Sequence, residues 1–151
     1  MSWHYTAEKI AARIREIERA RVRHRQVLEP FVLTKGAREH GPADDGEPMG
    51  AVEPGGTYLA AEETVTLRAR AAVPPDWDGQ RVFLALEFGG AETLVYVDGR
   101  PVQAIDNQHH ELLLGDPAEG GRTYALALAA YTGTPDAQKQ GGWSGAGGAS
   151  V

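Results

Sequence analysis

Leu94-Val95-Tyr96-Val97-Asp98-Gly99-Arg100-Pro101-Val102-Gln103-Ala104-Ile105 decides the fold class of this 151-residue chain. Two runs rich in branched and aromatic side chains flank Asp98-Gly99. A tight type I′ turn needs positive φ at both central residues, and Asp followed by Gly tolerates that. The stretch is therefore a β-hairpin. Working outward, the same period of two continues on both sides. Upstream, Val82, Leu84, Leu86 and Phe88 alternate with other residues until Gly89-Gly90 stops them. Before them Val65, Leu67, Ala69, Ala71 and Val73 face one way, while Thr64, Thr66, Arg68 and Arg70 face the other, the pattern of a half-buried antiparallel strand. Val73-Pro74-Pro75-Asp76-Trp77-Asp78-Gly79 separates these runs as a turn. Downstream, residues 111–114 form a short strand and residues 117–122 a turn. In residues 123–131, Tyr124, Leu126, Leu128 and Ala130 share a face. Five to seven short strands with antiparallel turn chemistry predict a mainly β fold, an antiparallel β-sandwich of the jelly-roll kind.

The remainder of the chain has other signatures. In residues 1–35, Thr6 is the expected N-cap of a helix, with Glu8 in its first turn. Ile10, Ile14 and Ile17 recur at helical spacing as a thin apolar stripe, and arginines fill most of the other faces, with Glu16 and Glu18 three residues before Arg19 and Arg21. Such a helix is expected to lie against its own domain. Residues 36–56 read as a loop or linker rich in Gly, Pro and acids, residues 57–132 as the sandwich, and residues 133–151 as a flexible glycine-rich tail carrying Trp143.

Composition narrows the function classes. The chain has no cysteine, so disulfides, thiolate metal sites and a cysteine nucleophile are excluded. No apolar run has membrane-spanning length and the start of the chain has no signal-peptide character, so a cytoplasmic protein with no membrane partner is expected. The net charge of −6 divides unevenly: residues 1–35 hold eight Lys/Arg against four Asp/Glu, and residues 36–151 seven against seventeen. An acidic body argues against nucleic acid as a partner.

Candidate functional residues are few. Asp106-Asn107-Gln108-His109-His110-Glu111 is the densest polar cluster, and histidine with carboxylate suits a transition metal. Consecutive His109 and His110 in extended chain point to opposite faces, however, so a hydrogen-bonded turn entering a strand is the expectation. Loop oxygens would also suit a hard cation, with no defined ligand set. Trp77 has the size and position to stack on a sugar, but a tryptophan closing the end of the sandwich is expected there. Possible sugar-facing or interdomain contacts are Trp77, Tyr96, Asp106, His109 and Glu111. Catalytic and metal residues are expected to be absent. No nucleophile elbow, phosphate-cradling loop or His-Glu-x-x-His helix occurs, and no carboxylate pair stands in an acid/base setting.

The block from Glu92 through Tyr96-Val97-Asp98-Gly99, Pro101-Val102-Gln103 and Asp106-Asn107-Gln108-His109-His110-Glu111 resembles the N-terminal domain of α-mannosidases of glycoside hydrolase family 38. Val73-Pro74, Asp78-Gly79-Gln80-Arg81-Val82, Gly121-Arg122-Thr123-Tyr124 and the helix from Glu8-Lys9-Ile10 extend the likeness over most of residues 5–132. Ala104 stands where the family often has glycine. The resemblance implies a galactose-binding-like jelly roll that is not itself an enzyme. It would belong to a parent that hydrolyses α-mannosides with retention, using a divalent metal such as zinc. The metal-binding and nucleophilic residues of that family lie in a later α/β domain, so none maps onto a position here and no cofactor is expected in this chain. The implied partner is a downstream catalytic domain of the same polypeptide, which this domain would brace, with homo-oligomer contacts and carbohydrate as further possibilities. An independent carbohydrate-binding module is the alternative.

Overall fold

The computed structural model describes residues 4–38, 41–42, 46–53, 63–87, 92–106, 109–131 and 148–150. One helix, α1 (His4–Arg21), precedes the strands β1 (Phe31–Lys35), β2 (Ala37–Arg38), β3 (Gly41–Pro42), β4 (Pro48–Val52), β5 (Thr64–Ala72), β6 (Val82–Glu87), β7 (Glu92–Val97), β8 (Arg100–Ile105), β9 (Glu111–Gly115), β10 (Thr123–Tyr131) and β11 (Gly148–Ser150). They form a six-stranded antiparallel sheet in the order β4-β1-β5-β10-β7-β8, a three-stranded sheet β11-β6-β9, and the short pair β2-β3.

The alternating rows become the core. Val65 and Leu67 of β5, Leu126, Leu128 and Ala130 of β10 and Val95 of β7 meet Val82, Leu84 and Leu86 of β6 and Leu112 of β9 in one apolar cluster. Antiparallel strands with one face buried must alternate, because successive side chains point to opposite faces. Each leucine fully buried here contributes about 1.5–3 kcal/mol. The longest pairing, β5 with β10, runs from Ala72 opposite Thr123 to Thr64 opposite Tyr131 and places Leu67 directly across from Leu128.

The hairpin is the expected type I′ turn, with φ of 50° at Asp98 and 76° at Gly99. Past Val95 opposite Gln103 the register shifts to Tyr96 opposite Pro101, so Val102 is the extra residue of a bulge. Pro101 sits in an edge strand, where its missing N–H leaves no gap in the ladder. Asp98 does more than turn the chain. Its carboxylate accepts from the Ala125 N–H at 2.9 Å and from Arg122 at 3.3 Å, and its own N–H donates to the Ala125 carbonyl at 2.9 Å. The tip is thereby fastened to β10.

Three expectations are corrected. First, the sheet extends outside residues 57–132. β1 pairs with both β4 and β5, so part of the segment read as a linker is sheet. An edge strand tolerates the Pro48 and Gly50 that gave β4 the look of a loop. Second, Thr66 was expected on the solvent side, yet it is wholly buried, and its hydroxyl donates to the Gly36 carbonyl at 2.8 Å. Third, α1 begins at His4, ahead of the expected cap at Thr6, and does not bury its stripe. Ile10, Ile14 and Ile17 are 55%, 50% and 68% exposed. The described tie from helix to sandwich lies at its C-terminal end, where Arg21 pairs with Glu111, and within α1 Arg13 pairs with Glu16. Accordingly, Ile14→Glu should leave the thermal midpoint of this chain within about 2 °C, because an exposed substitution costs under about 0.5 kcal/mol. A large drop would show that the stripe is covered. Of the expected tail, Gly148–Ser150 pair with β6; Phe88 and Trp143 lie outside the described residues.

Candidate functional site

Asp106 and His109 close a turn. The Asp106 N–H donates to the His109 carbonyl at 3.2 Å, and the His109 N–H donates to the Asp106 carboxylate at 2.7 Å. The His109 ring Nδ1 also lies 3.1 and 3.2 Å from the two carboxylate oxygens. This is the hydrogen-bonded turn expected from sequence, and both side chains are exposed. The pair engages itself, and among the described residues no three His, Asp or Glu side chains gather as metal ligands. The donors described here therefore do not fit the divalent metal that the resemblance assigns to the parent.

Tyr96 lies elsewhere. Val95 faces the core, so Tyr96 takes the opposite face of the large sheet, across from Ala127, yet is only 8% exposed. Trp77 ends the short helical turn Pro75–Trp77 and is buried in the core cluster. That end of the sandwich is laced by backbone bonds from Gly79 to Ala118 (2.9 Å), Ala118 to Gln80 (2.8 Å) and Gly121 to Val73 (2.9 Å). Gly120 is required there, since a Cβ would stand 2.6 Å from the Pro75 carbonyl oxygen. Trp77 closes the sandwich, as expected, and does not present a flat face to solvent.

Trp77 and Glu111, brought together from the candidate set, share a cleft of about 620 Å³. One wall is residues 20–25, which leave the end of α1; the others are residues 79–83, Ala85 and Glu111. Glu111, the first residue of β9, is paired with Arg21, and its carbonyl accepts from the Gln103 side chain at 3.2 Å. Arg81 lies 3.0 Å from Asp116 with its guanidinium 5.2 Å from the centre of the Phe83 ring. The His24 ring is 6.1 Å from Trp77, tilted by 33°. Sequence reasoning missed the arginine lining. It read Arg21, Arg23 and Arg25 as a solvated helix face, whereas the helix ends at Arg21 and the chain beyond it lines the cleft.

Two facing antiparallel sheets with one core, a fastened hairpin and a closed end define a jelly-roll sandwich domain. The chain belongs to the family described as "Alpha-mannosidase, jelly roll domain", which matches residues 35–139, more than two thirds of its length. No curated protein matches it by sequence. Among solved structures it is similar to the β-glucuronidase from Ruminococcus gnavus in complex with N1-substituted uronic isofagomine, at a TM-score of 0.54 and 11% identity over 72% of this chain and 22% of that one. The Faecalibacterium prausnitzii β-glucuronidase is likewise similar, at a TM-score of 0.51 and 16% identity over 73% and 22%. These likenesses are of fold, and the chain spans about a fifth of the length of either enzyme.

Proposed function

We propose that this chain is the non-catalytic N-terminal jelly-roll domain of an α-mannosidase, bracing a catalytic domain carried on the same polypeptide or contributing to subunit contacts. The observation that supports it most is the family match over residues 35–139, which includes the hairpin and the Asp106–His109 turn. The similar solved chains are glucuronidases in which the matched part is 22% of the whole, in keeping with a module of a larger glycoside hydrolase. The parent would hydrolyse α-mannosides with retention and would hold its divalent metal in the catalytic domain. Its expected compartment is the cytoplasm. The reading as an independent sugar-binding module is weakened by Trp77, which is 8% exposed and has the His24 ring beside it.

The test compares two proteins on an aryl α-mannoside. The 151-residue chain should give no turnover. The polypeptide encoded by the full reading frame should give turnover that a chelator abolishes. A stop codon directly after Val151 in the native gene, or hydrolysis by the short chain, would overturn the proposal.

A further inference from the structure

The cleft beneath residues 20–25 collects charge of one sign on a body of the other. Arg21, Arg23, Arg25 and Arg81 line it, against Glu111 as the one lining carboxylate among the described residues. Glu111 is taken by Arg21, and Asp116 by Arg81. Arg23 and Arg25 meet no carboxylate among the described residues, although residues 36–151 carry ten more acids than bases. Beyond Arg21 the chain is no longer helical, so these two arginines are presented by irregular backbone at the cleft wall. Trp77, Val82 and Phe83 add apolar surface to the same space. A volume of about 620 Å³ falls in the range of small-molecule pockets, roughly 300–1,000 Å³.

We infer that this cleft binds a small ring compound bearing an oxyanion, a phosphate or a carboxylate. The guanidinium groups of Arg23 and Arg25 hold the oxyanion, and the partly exposed Phe83 takes the less polar face of the ring. Guanidinium suits this role because its planar fork matches both oxyanions in two-point contact and never loses its charge. Arg21 and Arg81 are already held by carboxylates and shape the cleft. Their pairing leaves the oxyanion to Arg23 and Arg25. The inference stands apart from the activity proposed for the parent, since it concerns a ligand of this domain alone.

Isothermal titration of the 151-residue chain at low ionic strength tests it with four probes: glucose 6-phosphate, galacturonate, glucose and inorganic phosphate. At least one charged hexose should bind with a dissociation constant below about 1 mM, and the two hexose arms separate phosphate from carboxylate. Glucose and inorganic phosphate should each bind at least about ten-fold more weakly, having lost the oxyanion or the ring. The double variant R23Q/R25Q should weaken the charged hexose by about ten-fold or more, the loss equivalent to one charge-assisted contact. Both side chains are exposed, so the variant should fold, and R100Q at the hairpin, outside the cleft lining, should bind as the unaltered chain does. Equal binding by R23Q/R25Q, or charged hexoses no tighter than inorganic phosphate, would overturn the inference. So would binding of a single-stranded oligonucleotide without binding of either charged hexose, since that describes a general polyanion surface.

Discussion

Leu128→Ala should destabilise the chain by about 3 kcal/mol and lower its thermal midpoint by roughly 10 °C or more. Leu128 lies on β10, between β5 and β7 in the middle of the large sheet, and is 0% exposed. Removing its branched end loses transfer energy and also leaves a cavity, because neighbours on three strands are held by backbone ladders and cannot close in. Leu67 stands directly opposite on β5, equally buried. The two sites share one space, so Leu67→Ala made on the Leu128→Ala background should cost about 1 kcal/mol less than it does alone. Val32→Thr supplies the contrast. It sits in the same sheet but is 53% exposed, and its effect should stay within about 0.5 kcal/mol. Urea denaturation of the four variants measures all of this. A Leu128→Ala cost near that of Val32→Thr would mean that the two sheets do not share a packed interior.

The rows that made this core visible in the sequence were long and strictly alternating. Residues 64–72, 82–87 and 123–131 each carry a buried residue at nearly every second position, and that period alone identifies an antiparallel strand with one wet face. The hairpin was equally legible, because its turn chemistry is local. Strands β1 and β4 were not. Phe31-Val32-Leu33-Thr34-Lys35 is short and follows a basic helical segment, and Pro48-Met49-Gly50-Ala51-Val52 is built around two residues that ordinarily mark loops. β1 is a strand because β5 offers it an edge, and β4 because β1 in turn offers the next, which is a property of the assembled sheet. Thr66 shows the same limit. Its place in the alternation puts it with Arg68 and Arg70, and it is buried because the chain at Gly36 returns to cap its hydroxyl.

The cleft was illegible for a related reason. Arg21 and Glu111 are ninety residues apart, and no spacing rule joins them. Nor does composition show where a helix stops, and the stop at Arg21 is what turns a row of arginines from a solvated face into the wall of a cleft. In the polar cluster the local rule succeeded: Asp106 closes a hydrogen-bonded turn on His109.

Replacing Asp98 by alanine should cost about 2 kcal/mol. Two losses combine. Asp98 holds φ at 50°, and an alanine forced there costs about 1 kcal/mol, whereas aspartate adopts the left-handed region more readily. The carboxylate is also the acceptor for the Ala125 N–H, and a bond of that kind contributes about 0.5–1.5 kcal/mol. The ion pair with Arg122 adds little, both side chains being nearly half exposed. That division of cost orders a series. Asp98→Asn keeps the backbone preference and an amide oxygen for Ala125, and should lose no more than about 0.5 kcal/mol. Asp98→Gly keeps the turn and loses the acceptor, for about 1 kcal/mol. Asp98→Ala loses both. Arg122 also lies over the Tyr124 ring at 4.4 Å, and the Tyr124 hydroxyl donates to the Leu114 carbonyl at 3.2 Å. A tip released from β10 therefore loosens a contact that reaches the second sheet. Denaturant midpoints should rank alanine lowest, then glycine, then asparagine, with unchanged slopes, because the turn should weaken without a slip in register. If asparagine falls with alanine, the negative charge and not the turn geometry fastens the hairpin, and Asp98 owes its place here to Arg122.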